Sequence, residues 1–570
     1  MEKTFSKQSL FKIILIFLMA LSLLLSIYSI KNYKSSSFPQ NTTGQFRNFN
    51  GQNGQPGNRN GSIQKGQPGN ASGSAKNRQS GNTNSGAQNH QFGNANGAAQ
   101  NSQPGNTNGA TQNRQPGNTN QPAGQNMQFG SSSKSKFAPL LTVYFAAFLI
   151  VCAYLYHIFI RKKRKINLKD IGFIIFSMLF IGFFSRIALS TLMEGYGGDI
   201  RLFQSWASSA ANSLSQFYVN TKSSDYPPLY IYILALIGKA SSIGFLQSHY
   251  VLLLKLPSII ADCTTAYFIF KLAQKHISPA AGIILGSFYI FNPAIFMDSA
   301  LWGQVDSFFT LFIVISLFLL SEGKIVLSSV FFTCSVLMKP QGIIFLPVLF
   351  FEIIRKRNVK IFIKAAVSAL ATAIIVILPF SAGQNWLWIF KLYAGTISEY
   401  PYASVNGFNF FNLMGANYEK NTNIFFIFSY KIWGMAAITA ITAFSLVIYM
   451  KFKNNKCAFS CALVQIAGVF TFSVGMHERY LFPAAALSIL AFIYLKDKRL
   501  LILSAGYAVT IYGNIYYVLF RASGSMMNSN SHSLVGDGIS LLNIILFFYL
   551  AKILVDITFK GKTVNCLKSQ

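Results

Sequence analysis

The amino-acid sequence predicts an all-α protein that crosses a membrane many times. Hydrophobic residues make up 52% of the chain and charged residues 11%, whereas soluble domains carry about 25% charged residues. From residue 138 onward, apolar runs of helical length alternate with short loops. Lys and Arg gather in short clusters between these runs, as they do in membrane proteins of fixed orientation. These three observations predict a polytopic helical bundle.

The apolar runs predict about 13–14 transmembrane helices. The first covers residues 11–30; because it is long and lacks a clear cleavage site of small residues, we expect an uncleaved helix and not a signal peptide. The other predicted spans are 139–160, 171–192, 252–273, 279–297, 308–320, 325–338, 341–354, 360–380, 424–450, 457–475, 481–495, 500–520 and 538–557. Residues 226–246 are also apolar, but counting them as a crossing would invert the basic loops that follow. We therefore predict an interfacial or re-entrant helix there, begun by Pro227 and Pro228.

The basic clusters predict the orientation of the chain. On the spans above they all fall on one side: RKKRK (161–165), Lys271 to His276, RKRNVK (355–360), KFKNNK (451–456), KDKR (496–499) and KGK (560–562). Positively charged loops face the cytoplasm, so we expect both termini on the cytoplasmic side of the cell membrane. The net charge of +32 does not indicate nucleic-acid binding, because the basic residues are not gathered in one folded soluble domain.

The composition divides the chain into three regions. Residues 1–30 hold the first helix, and residues 138–570 form the predicted multi-span membrane domain. Residues 31–137 are rich in Gly, Asn, Gln and Ser and contain a 12-residue repeat, for example GATQNRQPGNTN (109–120). This segment has too few apolar side chains to offset its chain entropy, so we predict disorder. A linker at the cell surface is the plain interpretation, and saccharide binding is the alternative.

The acidic residues indicate where function lies. Only sixteen Asp and Glu occur, and the predicted topology places nine on the outer side: Glu194, Asp199, Asp225, Asp298, Asp306, Glu399, Glu419, Glu478 and Asp537. A carboxylate at a membrane boundary is costly unless it is hydrated or paired, so binding or catalysis is its usual role. Asp199 follows Gly197 and Gly198, which allow the backbone to approach a ligand. The alternative is that Asp199 caps the helix that follows.

Seven polar and aromatic strings occur in order along residues 170–560. They are GGDIRLFQSWA (197–207), DYPPLYIY (225–232), KLPSIIAD (255–262), FNPAIFMDSALWGQVDS (291–307), LMKPQ (337–341), YPYASVNGFNFFNLMGAN (400–417) and MHERYLFP (476–483). Together they resemble bacterial membrane glycosyltransferases of the GT-C class related to the second mannosyltransferase of GPI-anchor synthesis. The resemblance does not extend to the first helix or the repeat segment.

The resemblance implies a GT-C-like bundle that transfers a hexose, expected to be mannose, from a polyprenyl-phosphate carrier. The acceptor would be a glycan, lipid or protein of the cell envelope on the outer face of the membrane. Asp199 matches the position of the family's catalytic base. One carboxylate that accepts the acceptor's hydroxyl proton is sufficient for an inverting transfer, and a second, nucleophilic one is needed only for retention.

The same chemistry suggests residues for substrate binding. The leaving group is a lipid phosphate, so cations must stabilise the developing charge. The candidate cations are Arg201, Lys339, His477 and Arg479. The candidate sugar contacts are Trp302, Gln304 and Asp306, with Asp225 and Glu478 as further acids near the site.

Several candidates also have purely structural interpretations. Trp302 could belong to an interfacial aromatic belt, and Lys339 could bind carbonyl groups freed by the adjacent proline kink. Glu478 and Arg479 could form a structural ion pair, and His477 could be an ordinary buried polar residue.

Two further acids remain open on the sequence alone. Asp225 could cap the proline-started helix or act as a second acid. Asp262 lies within a span, where hydrogen bonding between helices and proton transfer explain it equally well.

The sequence contains no glycine-rich nucleotide loop, so we expect no nucleotide cofactor. Asp298 and Asp306 could join Asp199 around a divalent cation, although spacing fixes no ligand set. A secondary transporter or flippase, and a lipid-linked polysaccharide polymerase or ligase, are the competing functions. Convergence of Asp199, Asp306, Lys339 and Arg479 in one outward cavity would favour transfer, and their dispersal across the membrane would favour transport.

Overall fold

The described part of the chain is almost entirely helical. A computed structural model describes residues 7–33, 134–162, 170–452, 455–521 and 532–564. The first eleven helices are α1 Lys7–Asn32, α2 Lys134–Tyr156, α3 Ile171–Ser190, α4 Gly197–Asn212, α5 Phe217–Asn220, α6 Pro228–Ser241, α7 Gly244–Gln247, α8 Tyr250–His276, α9 Pro279–Ile290, α10 Pro293–Phe296 and α11 Asp306–Ser321. The other ten are α12 Ile325–Met338, α13 Leu346–Lys356, α14 Val359–Ile377, α15 Trp388–Glu399, α16 Phe410–Leu413, α17 Tyr430–Phe452, α18 Ala458–Phe472, α19 Ala484–Leu495, α20 Arg499–Tyr516 and α21 Leu534–Lys560.

The β-structure of the described residues consists of four two-residue strands and three isolated bridges. The strands are β1 Ser404–Val405, β2 Ile424–Phe425, β3 Phe428–Ser429 and β4 Met476–His477. β1 pairs with β4 in parallel and β2 pairs with β3 antiparallel. The repeat segment lies outside the described residues apart from its ends, so its predicted disorder stays a prediction.

The helices confirm the predicted class, an all-α polytopic membrane protein. Within the described residues, nine helices are long and apolar enough to cross a membrane, or ten if the bent pair of 279–290 and 293–302 counts as one span. The remaining predicted spans hold the shorter helices α11, α12, α13 and α19. A 14-residue helix such as α12 rises only about 21 Å, less than the roughly 30 Å hydrocarbon core. The predicted 13–14 crossings therefore include segments whose α-helices are shorter than the hydrocarbon core is thick.

The predicted interfacial helix at 226–246 corresponds to α6, which is also 14 residues long. It packs closely against α4, because Gly238 lies directly on the backbone of Ala207, where a Cβ atom would collide. Tyr230 and Leu234 on its inner face are fully buried. This packing brings the first turn of α4 and the loop before α6 to the same end of the bundle.

Two helix breaks introduce polar residues into the apolar core. In the first, Asn292 caps α10 by accepting a hydrogen bond from the Ala294 N–H, and a π-helical segment at 297–302 follows. It ends at Gly303, whose φ of 87° is left-handed. The broken segment therefore delivers buried Trp302 to the end of the bundle.

The second break confirms the predicted hinge between Lys339 and Pro340. α12 ends at Met338, and Lys339 is extended, with φ −143° and ψ 138°, because the residue before a proline disfavours helical dihedral angles. A 3₁₀ turn at 340–345 leads into α13. The break turns the Lys339 side chain away from helix α12 and into the core.

Candidate active site

Asp199 lies in the first turn of α4. The helix begins at Gly197, with Tyr196 as the N-cap residue and no side-chain cap, so the interpretation of Asp199 as a cap is wrong. A carboxylate in the first turn is nevertheless favoured by the helix dipole. The backbone requires a glycine at Gly195, where φ is 112° and a Cβ would lie 2.5 Å from the Trp302 carbonyl oxygen. A Cβ at Gly197 would meet nothing within 4 Å, so the protein leaves open space beside the backbone there.

One oxygen of Asp199 receives three hydrogen bonds. Trp302 Nε1 donates to Oδ2 at 2.7 Å, Gln304 Nε2 at 2.5 Å and Arg479 Nη1 at 3.0 Å. The hydrogen bonds that described residues donate to this carboxylate all go to Oδ2, and the side chain is 20% exposed. The arrangement fixes the carboxylate through Oδ2, and Oδ1 takes no part in these three hydrogen bonds.

Trp302 holds the cluster together. It is 1% exposed, so its interpretation as a lipid-facing belt residue is wrong. Its ring stacks on Tyr196 with centroids 4.7 Å apart, and the Arg479 guanidinium carbon lies 4.6 Å from its centroid. Sequence reasoning missed Tyr196, which carries no signal beyond its place next to a glycine.

Lys339 and Asp306 form a second buried ion pair. Their Nζ and Oδ1 atoms are 2.5 Å apart, and the side chains are 6% and 5% exposed. The ammonium therefore binds a carboxylate, and not the carbonyl groups freed by the kink. The two clusters are connected, because Lys339 Nζ lies 5.7 Å from the centroid of the Tyr226 ring, whose hydroxyl donates to Gln304 Oε1 at 3.3 Å.

The segment after β4 contributes the other charges. Arg479 Nε lies 3.0 Å from Glu478 Oε1, so the guanidinium bridges Glu478 and Asp199. Burial raises the pKa of Glu478. Burial alone would lower the pKa of Arg479, but Asp199 and Glu478 outweigh it and keep that pKa well above its usual value. The structural ion pair expected for this segment is present, and it is also part of the cluster.

His477 is neutral at physiological pH. Burial and then the positive charge of Arg479 lower its pKa to about 3. Its ring lies edge-on to Tyr400, with centroids 4.5 Å apart. His477 was expected as a cation, whereas burial and the charge of Arg479 favour its neutral form.

Asp225 lies in the loop before α6, half-buried, and does not cap that helix. Its backbone carbonyl accepts a hydrogen bond from Thr396 Oγ1 at 3.0 Å. Loss of hydration and then the nearby Glu399 carboxylate raise the pKa of Asp225 to about 7. Near neutral pH this carboxyl group is therefore divided between its two protonation states.

Arg201 and Asp298 lie outside the contacts described above. Arg201 is on the exposed side of α4, two residues and thus about 200° around the helix from Asp199. Asp298 is fully buried with no hydrogen bond to its carboxylate oxygens. Across the described residues there is no group of three or more His, Cys, Asp or Glu side chains able to hold a metal ion.

A separate buried pair accounts for Asp262. Its Oδ2 accepts hydrogen bonds from Arg186 Nε at 2.9 Å and Ser299 Oγ at 2.6 Å. Both charged side chains are at most 2% exposed. Of the two interpretations of Asp262, bonding between helices is the one that the structure supports.

Together, fold and site define a multi-pass α-helical membrane protein with a carboxylate–cation cluster where broken helices meet. Residues 210–471 are similar to a family described as GPI transamidase subunit PIG-U. The match covers less than half of the chain. It includes Trp302, Gln304, Asp306 and Lys339, but it ends before Arg479. A search of curated proteins found no match. The similarity therefore lies in a GPI-related family, as expected, but in a different member from the mannosyltransferase that the motifs resemble.

Proposed function

We propose that this protein is a membrane glycosyltransferase. It would move a hexose, with mannose the first candidate, from a polyprenyl-phosphate carrier to an acceptor hydroxyl in the cell envelope, with inversion at the anomeric carbon. The observation that carries this proposal is the Asp199 carboxylate, held through Oδ2 by Trp302, Gln304 and Arg479. A carboxylate fixed by one oxygen can accept a proton on the other in a defined direction.

The proposed step balances without any further reactant. The acceptor oxygen bonds to the anomeric carbon as its proton passes to Oδ1 of Asp199. The bond from that carbon to the phosphate oxygen breaks, and the electron pair leaves with the polyprenyl phosphate. The three hydrogen bonds to Oδ2 hold the carboxylate in place for this step.

Arg479 and Lys339 are the cations available for the leaving phosphate. Arg479 is 12% exposed beside Asp199, so it can contact a substrate that reaches this carboxylate. Lys339 is held by Asp306 in an ion pair that is almost completely buried. It would therefore share its charge between this carboxylate and the phosphate. Charge-assisted hydrogen bonds of this kind contribute about 1.5–3 kcal/mol each.

The connection between the two ion pairs favours transfer over transport. Asp199, Arg479, Asp306 and Lys339 converge through Gln304 and Tyr226 at one end of the bundle. A transport path would place such groups at successive depths across the membrane.

The orientation of this end is also a proposal. We expect the site to face outward, because that places the basic loops in the cytoplasm. Cysteines introduced beside Asp225 or Glu399 should react with impermeant thiol reagents on intact cells. Cysteines beside Lys163 or Lys453 should not react, and the reverse pattern would overturn the orientation.

A second candidate function is a subunit that binds a lipid-linked glycan without making a bond. The similarity of residues 210–471 to the family described as GPI transamidase subunit PIG-U favours it. Purified protein incubated with polyprenyl-phosphate mannose, glucose or galactose, together with a cell-envelope glycan or lipid fraction as the acceptor, separates the two functions. Release of polyprenyl phosphate together with an inverted glycoside, identified by mass spectrometry and NMR, supports transfer. Saturable binding of these lipids without turnover supports the subunit.

A further inference from the structure

Side-chain amides from the C-terminal helices hold the loop between α15 and α17. Asn514 of α20 is 1% exposed. Its Oδ1 accepts a hydrogen bond from the Phe408 N–H at 2.9 Å, and its Nδ2 donates to the Asn406 carbonyl at 2.7 Å. One buried amide thus satisfies two backbone groups of the loop, as a neighbouring strand would.

α21 adds two further contacts to the same loop. Asn543 Nδ2 donates to the Phe408 carbonyl at 2.9 Å. Asn412 Nδ2 donates to Ser540 Oγ at 3.0 Å. We call Asn514 and Asn543 the amide latch, because both bind the backbone around Phe408.

The latched loop in turn sets the register of β4. Ser404 pairs with Met476 and Val405 with His477. The Gly475 N–H donates to the Tyr402 carbonyl at 2.9 Å. Gly407 lies so close to the Met476 carbonyl that a Cβ would collide with it. These contacts leave β4 little freedom to slide relative to the loop.

β4 ends two residues before Arg479, the residue that bonds Asp199 at 3.0 Å. We propose that Asn514 is a positioning residue that, through the loop and β4, fixes the guanidinium of Arg479 against Asp199. Asn514 contacts neither Arg479 nor Asp199 itself. Its effect must therefore pass through the backbone of the loop and β4. The catalytic consequence rests on the proposed transferase function, whereas the structural link between α20 and β4 does not.

The first experiment measures that link without any substrate. Asn514→Leu replaces the amide by an apolar side chain of similar size, and Gln465→Leu is the matched control. Gln465 is also 1% exposed and bonds Thr442 of α17 at 3.3 Å, away from the loop. We expect backbone hydrogen exchange in Asn514→Leu to accelerate at least about tenfold at 402–409 and at 475–482, since local opening sets exchange rates. The control should match the wild type at both segments.

An acceleration confined to 402–409 would overturn the proposal, because the loop would then move without β4. If Asn514→Leu fails to fold, Asn543→Leu keeps both Asn514 bonds and should show a smaller acceleration at the same two segments. A wild-type rate at 475–482 in that variant would likewise count against the latch.

The second experiment tests the path through Arg479 by a double-mutant cycle in the transfer assay. Misplacement of a catalytic group by about 1 Å can cost about 10²-fold, so Asn514→Leu should lower kcat by about that factor with little change in donor KM. In the Arg479→Ala background the same substitution should cause no further loss. Independent, additive losses would mean that Asn514 only stabilises the fold. If the wild type transfers no hexose, the proposed function fails and hydrogen exchange alone decides the latch.

Discussion

Replacing Asp199 by Asn removes the proposed base while keeping the shape of its side chain. An amide oxygen in place of Oδ2 can still accept hydrogen bonds from Trp302 Nε1 and Gln304 Nε2, now at 2.7 Å and 2.5 Å. The amide cannot accept a proton at neutral pH. Loss of a general base costs about 10²–10⁴-fold in rate, which corresponds to about 3–5 kcal/mol of transition-state stabilisation.

The structure also predicts that donor binding survives this substitution. Arg479 keeps its contact with Glu478 at 3.0 Å, so the cation stays beside the site. Because Asp199 is 20% exposed, water can replace part of the lost ion pair. We therefore expect kcat to fall and donor KM to change by less than about threefold, the pattern of an interaction used in the chemical step.

The assay is turnover of the lipid-linked hexose by purified variants of confirmed folding. Asp537→Asn is the matched control, since Asp537 also lies in the first turn of a helix but pairs with His532 at 3.3 Å. It should retain wild-type turnover. If Asp199→Asn keeps more than about a third of wild-type turnover, against the 10²-fold loss typical of a missing base, the base lies elsewhere. Asp225 would then be the next candidate.

Three further predictions concern the charges around the site and the repeat segment. Lys339→Met should destabilise the fold by about 3–5 kcal/mol in thermal unfolding, because it leaves Asp306 as an unpaired buried charge, and the double variant with Asp306→Asn should recover most of this loss. The pKa of Asp225, raised to about 7 from about 3.9 in the unfolded chain, means that the folded state keeps its proton longer. Stability should therefore fall as pH rises from about 4 to 7, and Asp225→Asn should flatten that fall. Deletion of residues 41–130 should leave transfer in detergent near the intact rate, because the segment has the composition of a disordered linker.

Each of these predictions has a result that would contradict it. Equal destabilisation by the single and double variants would show that charge pairing is not what Lys339 contributes. Parallel pH dependence of the melting temperature in wild type and Asp225→Asn would mean that Asp225 does not titrate in this range. A loss of transfer that exceeds about tenfold after the deletion would assign the repeats a role in turnover, since ten times slower is about 1.4 kcal/mol.

The sequence predicted those parts of the fold that depend on local chemistry. The break at Lys339–Pro340 follows from proline geometry, and the start of α6 follows from Pro227 and Pro228. The class of the protein follows from hydropathy and charge. The predicted span 325–338 matches α12 to the residue, and 308–320 matches α11 to within two residues. The span predicted from 424 begins only at Tyr430, because residues 424–429 form the β2–β3 hairpin, which apolar composition does not distinguish from a helix.

The site was predictable as a set of residues but not as a set of contacts. Trp302 and Gln304 were chosen as sugar contacts, yet their hydrogen bonds go to Asp199, 103 and 105 positions away. The need for a glycine at position 195 could not be predicted either. It arises from the close carbonyl oxygen of Trp302, which is distant in the sequence. The neutral state of His477 depends on burial, which no local pattern reports.

The ion pair between Asp199 and Arg479 joins residues 280 positions apart, and that distance has a consequence for biogenesis. Ribosomes add about 5–20 residues per second, so the carboxylate exists for roughly 14–56 s before its arginine has been made. During that time Asp199 can receive hydrogen bonds from Trp302 and Gln304, which are made earlier, but it has no cationic partner. Arg479, which is made after α18, thus completes the site, and a nascent protein has no assembled cluster until helices α1 to α18 have been synthesised.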